Sequence, residues 1–149
     1  MMYVKKLRAR DIEKYNREWF ELYTNYQMYD DRVVKVFKIQ NDKMYMEHLQ
    51  NGILLSEIER LRLLPYTTRR FIFEQMIQIY TNQFYFKHKL LRDEQVFIHA
   101  DYWLKNLIYT NDRVVLIDAD SFLVTSIGDQ YMRFSKFLDS VNILQYKLF

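Results

Sequence analysis

Residues 99–120 read HADYWLKNLIYTNDRVVLIDAD and combine polar clusters with two short apolar runs. The runs are LIY at residues 107–109 and VVLI at residues 114–117, and the segment TNDR separates them. Two apolar runs joined by a short polar turn that contains Asn and Asp are typical of a β-hairpin. The stretch therefore predicts two antiparallel strands that meet at a turn centred on Asn111 and Asp112.

The predicted hairpin brings polar side chains together at its open end. Antiparallel pairing about this turn places Asn106 opposite Ile117 or Asp118, with Cα atoms about 4.5–5.5 Å apart. Asp101 precedes Asn106 by five residues and lies in the approach to the same end. Two carboxylates and a carboxamide on an apolar support suit Mg²⁺, which binds through one or two carboxylates and the phosphates of its substrate. The remaining Asp would then be free to act as a base.

A structural role is the alternative for each of these residues taken singly. Hairpins in soluble proteins carry polar residues at their ends, and a lone Asp or Asn there is more often structural than functional. Four polar residues at these offsets favour a shared site instead. His99 follows the apolar residues 96–98, and we expect it to hydrogen-bond backbone groups of the turn rather than to act as an acid or base.

The composition limits the classes of protein that fit. The chain has 149 residues, of which 50% are hydrophobic and 17% aromatic, so it is about one domain with ample material for a core. The absence of Cys excludes a disulfide scaffold, a thiolate metal site and a Cys nucleophile. No stretch approaches about 18 consecutive apolar residues, so we expect a cytoplasmic chain that neither is secreted nor spans a membrane.

The remaining segments predict several helices and one further hairpin. The predicted elements are a helix at residues 11–28, a hairpin at residues 32–49 with an Asn-Asp turn, a short helix at residues 54–64, a long helix capped by Thr67 or Thr68, and a helix at residues 129–144. In the last helix the residues predicted to face inward are Met132, Phe134, Phe137, Leu138 and Val141.

The polar motifs resemble those of a known family. The pattern H-x-D-x-x-x-x-N at residues 99–106, followed by an apolar hairpin and LID at residues 116–118, resembles the catalytic loop and metal-binding segment of the protein kinase-like fold. The segment DAD at residues 118–120 lacks the usual Phe-Gly and is more similar to the aminoglycoside phosphotransferase and choline kinase branch. Trp103 stands where Ser/Thr kinases carry a Lys, which disfavours protein Ser/Thr specificity.

The resemblance implies an α+β fold of a minimal protein kinase-like type. Residues 1–149 would form one domain, with a reduced antiparallel N-lobe and hinge at about residues 1–50 and a shortened, mostly helical C-lobe at about residues 51–149. No Gly precedes Gly52, so the Gly-rich loop that covers the phosphates in this family is missing from the sequence.

A nucleotide pocket follows from the same resemblance. KMYMEHL at residues 43–49 resembles the fifth strand and hinge of the family. Backbone groups near Glu47 and Leu49 would hydrogen-bond adenine, and Met46 would lie at the back of the pocket. An ordinary edge strand is the alternative for this segment.

The N-terminal residues continue the resemblance in chain order. YVKKL at residues 3–7 would be the strand that supplies a phosphate-binding Lys, either Lys5 or Lys6. The helix that carries Glu18 and Glu21 would supply the Glu that forms an ion pair with this Lys. Solvated surface charge is the alternative for both Lys residues.

The resemblance implies an ATP- and Mg²⁺-dependent phosphotransferase. Asp101 would accept or orient the proton of the acceptor hydroxyl, and Asn106 with Asp118 would hold Mg²⁺ against the β- and γ-phosphates of ATP. Asp120 would hold a second metal ion or cap the following turn. Phosphoryl transfer depends mainly on positioning and charge neutralisation, so these residues could carry the central chemistry. The acceptor, a small molecule or a protein, is not identified by the sequence.

Two other functional classes stay open. An inactive pseudokinase that acts as a protein-binding scaffold would explain the missing Gly-rich loop. A basic, aromatic-rich nucleic-acid-binding protein would use the cluster of Lys5, Lys6, Arg8 and Arg10 together with exposed Tyr residues. The formal charge of +3 is modest and disfavours nucleic acid as the partner.

Overall fold

The structure is a computed structural model of the chain and describes residues 2–149. It is a mixed α+β fold in which small antiparallel sheets pack against helices. The strands are β1 (Met2–Lys6), β2 (Val36–Gln40), β3 (Lys43–Glu47), β4 (Ile53–Leu54), β5 (Gln95–His99), β6 (Leu107–Thr110), β7 (Arg113–Leu116) and β8 (Phe122–Ser126). The α-helices are α1 (Arg17–Tyr29), α2 (Ile58–Arg62), α3 (Tyr66–Asn82) and α4 (Ile127–Leu148).

The first sheet has the strand order β1-β3-β2. Strands β2 and β3 form a hairpin, and Asn41 in its turn has a φ of 57°, in the left-handed region that Asn tolerates. Strand β1 pairs antiparallel with β3, with Lys5 opposite Met44. The predicted hairpin and N-terminal strand are confirmed, and their pairing joins segments that lie about forty residues apart in the chain.

The second sheet contains the hairpin that the opening motif predicts. Strands β6 and β7 pair antiparallel with Leu107 opposite Leu116, and β4 adds to the outer edge of β6. The turn residues Asn111 and Asp112 have φ values of 50° and 60°, as a two-residue hairpin turn of this hand requires. The hairpin is therefore confirmed in both register and turn.

The third sheet is the antiparallel pair β5 and β8. His99 lies opposite Phe122 at the end of this pair, and the Ala100 amide donates to the Ser121 carbonyl at 2.8 Å. The pair therefore brings the segment after β5 next to the segment that precedes β8.

An aromatic core joins the sheets to α1. Trp19 stacks on Tyr23 with ring centroids 5.1 Å apart, and its indole nitrogen donates to the Phe122 carbonyl at 2.8 Å. Tyr26 and Phe97 extend the same cluster, and both are fully buried. Because α1 contacts both the N-terminal sheet and the β5–β8 pair, it fixes the position of one relative to the other.

The predicted helix at residues 11–28 is two elements instead of one. Residues 9–14 form a 3-10 helix, and α1 begins only at Arg17, because the Asn16 side chain caps it by accepting from the Trp19 amide at 3.0 Å. The predicted short helix at residues 54–64 is likewise wrong at its start. Ile53 and Leu54 form β4, which pairs with β6, and the helix α2 contains only five residues.

The later helices differ from prediction in their caps and in the face they bury. Helix α3 begins at Tyr66 after Pro65, and neither Thr67 nor Thr68 caps it. Helix α4 runs longer than predicted, and its cap is the Ser126 side chain. Met132, Phe134 and Leu138 of α4 were expected to face inward but are 78%, 39% and 42% exposed. Phe137 is buried as predicted, and the buried stripe of α4 also contains Gln130, Ser140, Leu144 and Leu148, on the face toward α2 and α3. Within residues 2–149, none of the helices has the length and hydrophobicity of a membrane span.

Candidate functional site

A cavity of about 450 Å³ opens between the first sheet and the open end of the β6–β7 hairpin. Its polar lining includes Lys5, Asp101, Asn106 and Asp118. Its apolar wall includes Val34, Met46, Leu49, Ile108 and Ile117. The cavity therefore collects residues from β1, from residues 46–49 at the end of β3, and from both sides of the hairpin.

Hairpin geometry places Asn106 beside Asp118. The Ile117 amide donates to the Asn106 carbonyl at 2.8 Å, which extends the β6–β7 ladder by one residue beyond the strands. Asp118 then adopts φ 67° and ψ 57°, a left-handed conformation that Asp and Asn tolerate better than most residues other than Gly. Its carboxylate is held in this position by the Ser121 hydroxyl, which donates at 2.7 Å.

Lys5 connects the N-terminal sheet to this end of the hairpin. Its ammonium group donates to Asp118 Oδ1 at 2.9 Å and to Asp120 Oδ1 at 2.9 Å. Side chains alternate along β1, so Lys5 faces the cavity whereas its neighbour Lys6 is exposed on the opposite face. One cation is thus shared by two carboxylates.

The shared contact perturbs all three charges. Burial lowers the pKa of Lys5, but its two carboxylate partners outweigh this and raise the pKa above its usual value. Burial raises the pKa of Asp118, but hydrogen bonds with its neighbours, Lys5 included, hold it well below the usual range. Burial and the adjacent Asp118 carboxylate raise the pKa of Asp120 above its ordinary value. Asp118 is therefore the carboxylate that stays charged, and Asp120 is protonated first on acidification.

Asp101 lies on the cavity wall between two Lys residues. Lys136 donates to its Oδ1 at 3.2 Å, and the Lys105 ammonium lies 3.5 Å from its Oδ2. Partial burial raises the pKa of Asp101, but the Lys136 hydrogen bond and both positive charges lower it below the ordinary value overall. Asp101 is therefore ionised at neutral pH, and it can accept a hydrogen bond from a hydroxyl more readily than it can retain a proton.

Asn106 fixes the loop that carries Asp101. Its side-chain amide nitrogen donates to the Asp101 carbonyl at 2.8 Å and to Asp101 Oδ2 at 3.1 Å. The carboxamide oxygen accepts no hydrogen bond within residues 2–149, although Asn106 is largely buried. This oxygen is consequently available as a ligand at the cavity wall.

Residues 46–49, the segment that the resemblance compares with a nucleotide hinge, line the cavity. Met46 is buried and, with Leu49, lines the cavity. The Glu47 amide donates to the Lys35 carbonyl at 2.9 Å, and the Glu47 carboxylate accepts from the Lys35 amide at 2.8 Å. The Glu47 amide is therefore used within the sheet, whereas the Leu49 amide donates no hydrogen bond in the described part of the chain.

His99 has the structural role expected of it. Its Nε2 lies 2.8 Å from the Ile117 carbonyl, and its Nδ1 accepts from the Asp101 amide at 3.1 Å. Complete burial lowers the pKa of His99 to about 4, so the imidazole is neutral at neutral pH. It connects the Asp101 loop to the strand before Asp118, and it is not protonated at neutral pH.

Three predicted roles do not fit this geometry. Glu18 was expected to form an ion pair with the phosphate-binding Lys, but Lys5 pairs with two Asp residues, and Glu18 lines a different cavity beside Lys14 and Arg92. The aromatic face of α1 packs into the core, and Glu18 lies in the first turn of the helix outside that face. Lys6 is excluded from the cavity by strand alternation. Asp120 does not cap the following turn, because its carboxylate is engaged by Lys5.

The oxygen donors at the cavity suit a hard cation with few protein ligands. Within residues 2–149, no group of three His, Cys, Asp or Glu residues is arranged to hold a metal ion by itself. Mg²⁺ does not need such a group, because it is usually bound by one or two carboxylates together with substrate phosphates and water. The Asp118 carboxylate and the free Asn106 carboxamide oxygen line the same cavity and form such a donor set.

Sequence patterns gave no sign of the two Lys residues that flank Asp101. Lys105 is an exposed residue within the motif, and Lys136 lies on α4, 35 residues from Asp101. A Lys on the polar side of an amphipathic helix is usually solvated, so neither residue stands out by pattern. Only the packing of α4 beside β5 brings Lys136 to the site.

Comparison with known proteins adds no family to this geometry. The chain matches no protein-family model, and no curated protein matches it in sequence. The class of protein that the site defines therefore rests on the motif and on the geometry of the cavity.

Proposed function

We propose that the chain is a kinase-like phosphotransferase that uses ATP and Mg²⁺ and transfers the γ-phosphate to the hydroxyl group of an acceptor. One observation carries the proposal: Lys5, Asp101, Asn106 and Asp118, which come from separate segments, line one cavity that also has an apolar wall. Titratable groups with perturbed pKa values in a cavity of this size are typical of a reactive site.

The apolar wall supports binding of the adenine base. Val34, Met46 and Leu49 supply a dry surface for a planar ring, and the unused Leu49 amide supplies a hydrogen-bond donor beside it. The polar wall lies toward Lys5, which supplies the positive charge that phosphates require. The two walls of the cavity thus correspond to the two parts of a nucleotide.

The donor set at the polar wall supports a role for Mg²⁺. Asp118 and Asn106 would hold the ion, which supplies neutralisation of phosphate charge when bound. In the structure both Asp118 oxygens are already engaged, one by Lys5 and the other by Ser121. Lys5 must therefore exchange its carboxylate partners for phosphate oxygens when the nucleotide binds.

The chemistry assigned to Asp101 is orientation of the acceptor. The acceptor oxygen forms a bond to the γ-phosphorus, the bond from that phosphorus to the β-γ bridging oxygen breaks, and ADP leaves with the electron pair. Asp101 accepts the hydrogen bond of the attacking hydroxyl and passes the released proton to solvent. Its lowered pKa is compatible with this role, because a loose phosphoryl-transfer transition state needs positioning more than a strong base.

A scaffold without catalytic activity is the second candidate. Its specific support is that Lys5 already pairs with Asp118, the carboxylate of the proposed metal donor set, and with Asp120, so both carboxylates have a cationic partner without a ligand. Within residues 2–149, no Gly precedes Gly52, so this part of the chain supplies no glycine-rich segment beside the cavity. Nucleic-acid binding has less support, because Lys5 of the basic N-terminal cluster is already paired with acidic side chains.

Thermal unfolding with nucleotide separates the first two candidates. We expect millimolar ATP with Mg²⁺ to raise the melting temperature of the wild-type chain, because a ligand that binds only the native state stabilises it by mass action. Asp118→Asn removes a charged metal ligand and should abolish the part of the shift that depends on Mg²⁺. Asp112→Asn, at the exposed hairpin turn, is the matched control and should keep the full shift. An unchanged melting temperature in the wild type would favour the scaffold.

A further inference from the structure

A second, smaller cavity of about 60 Å³ lies beside the Asp101 loop, between α3, β5 and α4. We call it the rear cavity, and its polar lining residues are Tyr80, Gln83, His99, Gln130, Arg133 and Lys136. Of these residues, only His99 and Lys136 take part in the site described above, and Lys136 does so through its hydrogen bond to Asp101.

Three residues that line the rear cavity carry a buried polar group without a hydrogen-bond partner. The side-chain nitrogens of Gln83 and Gln130 and the hydroxyl of Tyr80 are buried and make no hydrogen bond within residues 2–149. The three residues are only 2%, 3% and 5% exposed. Leaving a buried donor without a partner costs about 1–3 kcal/mol, so three at one cavity point to a ligand that satisfies them.

Several acceptors around the rear cavity are already used. The Gln83 side-chain oxygen accepts from the His99 amide at 3.1 Å, and the Ala100 carbonyl accepts from Arg133 at 2.6 Å. Both ring nitrogens of His99 are engaged by backbone groups. The amide nitrogens of Gln83 and Gln130 can only donate, so the missing partner must supply acceptors.

The charged side chains that line the rear cavity are both positive. Arg133 and Lys136 contribute two cations to its lining, and no acidic residue among residues 2–149 lines it. Their ion-pair partners, Asp129 and Asp101, contact them from outside the lining at 2.9 and 3.2 Å. A water molecule would bring two hydrogens to a site that offers donors and cations, whereas an oxyanion brings only acceptors.

We propose that the rear cavity binds a small oxyanion group, a carboxylate or a phosphate, that belongs to the acceptor substrate. Lys136 lines the cavity and also donates to Asp101, so an acceptor anchored there presents a neighbouring hydroxyl to the Asp101 carboxylate. The assignment to the acceptor rests on the proposed phosphotransferase function, and oxyanion binding itself does not. The acceptor is thus a small hydroxyl compound with an anionic group.

Isothermal titration with inorganic phosphate and with acetate, in the absence of nucleotide, tests the binding. Gln130→Glu keeps the size of the side chain but places a negative charge in the cavity, and it should weaken phosphate binding by about tenfold or more. Gln145→Glu adds the same charge to an exposed position of the same helix and should leave binding unchanged. Since Lys136 is more than half exposed, Lys136→Gln provides a second variant whose folding is not in question, and it should also weaken binding.

Lys5→Met separates this cavity from the nucleotide site. Any phosphate that Lys5 holds in the larger cavity should be lost in this variant, whereas the binding that Gln130→Glu and Lys136→Gln weaken should remain, because Lys5 does not line the rear cavity. The proposal is overturned if neither anion binds, which would make the rear cavity a water site. It is equally overturned if binding is lost in Lys5→Met but kept in Gln130→Glu and Lys136→Gln.

The role of the acceptor has its own readout. With γ-labelled ATP, glycerate and glycerol phosphate should accept label in preference to uncharged glycerol, and Gln130→Glu should remove this preference. Anion binding without such a preference would refute the acceptor role and leave the anion site standing. Failure of ATP to bind would refute the phosphotransferase proposal, and the titration with phosphate would still decide whether the cavity binds oxyanions.

Discussion

Replacement of Lys5 by Met tests the contact that closes the candidate site. Met keeps the length and the apolar part of the side chain, but it removes the ammonium group that Asp118 and Asp120 share at 2.9 Å each. The variant therefore leaves two carboxylates close together without a cation. We expect it to be less stable than the wild type at neutral pH.

The exposure of the three side chains sets the magnitude. They are 34%, 29% and 18% exposed for Lys5, Asp118 and Asp120, so solvent screens the contacts substantially. Exposed ion pairs contribute about 0.2–1 kcal/mol, and hydrogen bonds to charged groups in drier sites about 1.5–3 kcal/mol. We expect a loss of about 1–2 kcal/mol, which corresponds to a melting temperature lower by about 3–6 °C for a chain of this size.

The stability difference between the wild type and Lys5→Met should depend on pH. In the wild type the pKa of Asp118 is lowered, so its contribution is present above its unfolded pKa and is lost as the pH falls toward the folded value. In Lys5→Met both carboxylates lose their cation, and their pKa values rise. The stability difference between the two proteins should therefore be largest near pH 7 and shrink by pH 4, where protonation relieves the repulsion.

Urea unfolding at pH 7 and at pH 4 measures both quantities, and Lys6→Met is the matched control. Lys6 is the next residue of β1 but is exposed on the other face, so its replacement should change stability by less than about 0.5 kcal/mol. Equal losses for the two variants, or a difference that does not depend on pH, would refute the reasoning.

Two further predictions concern the support of the site. Gly52→Ala should destabilise the protein by about 1–3 kcal/mol and weaken nucleotide binding, because an added Cβ would lie 2.5 Å from Ile108 Cγ1 and Ile108 lines the cavity. Gly128→Ala is the control and should be tolerated, because its Cβ would meet only a side-chain oxygen at 3.8 Å. Equal effects of the two substitutions in a melting assay would contradict this account. Burial lowers the pKa of His99 from 6.5 to about 4, so the unfolded chain binds a proton first and about 3 kcal/mol of stability should be lost between pH 7 and pH 4. His99→Gln should flatten this part of the unfolding profile and exposed His48→Gln should not, and a profile unchanged by His99→Gln would show that the imidazole is not buried and neutral.

Local patterns were sufficient to predict the core of the site. The hairpin about Asn111 and Asp112 follows from turn chemistry and strand alternation, and both residues adopt the left-handed conformation that such a turn needs. Its register then places Asn106 against Ile117 without any long-range information. The resemblance placed Met46 and the backbone near Leu49 at a nucleotide pocket, and both residues line the cavity.

Errors arose where packing or capping decides between alternatives. The apolar spacing at residues 11–28 suits one helix, but the Asn16 cap starts α1 late, and the Tyr15 hydroxyl donates to the Asp120 carbonyl at 2.5 Å in the preceding segment. In α4 an apolar face is present on more than one side, and only contact with α2 and α3 selects the buried one. Met132 is exposed for this reason.

Charged residues were the least predictable part of the site. Lys5 and Lys6 have the same local sequence context, and only the pairing of β1 with β3 determines which one faces the cavity. Ion pairs between residues more than a hundred positions apart, such as Lys5 with Asp118, leave no periodic trace in the sequence. The same holds for Lys136 at Asp101, which depends on the position of a helix.

Transfer of label from γ-labelled ATP by the wild type and by Asp101→Asn tests the central claim most directly. Asn keeps the size of the side chain and removes its charge, so nucleotide binding should persist while transfer to water, to the protein or to small hydroxyl compounds falls by about 10²-fold or more. Asp112→Asn, which makes the same change at the exposed hairpin turn, should transfer label like the wild type. Wild-type protein that binds ATP but transfers no more label than Asp101→Asn to any of these acceptors would contradict the claim that this cavity is a phosphotransferase site.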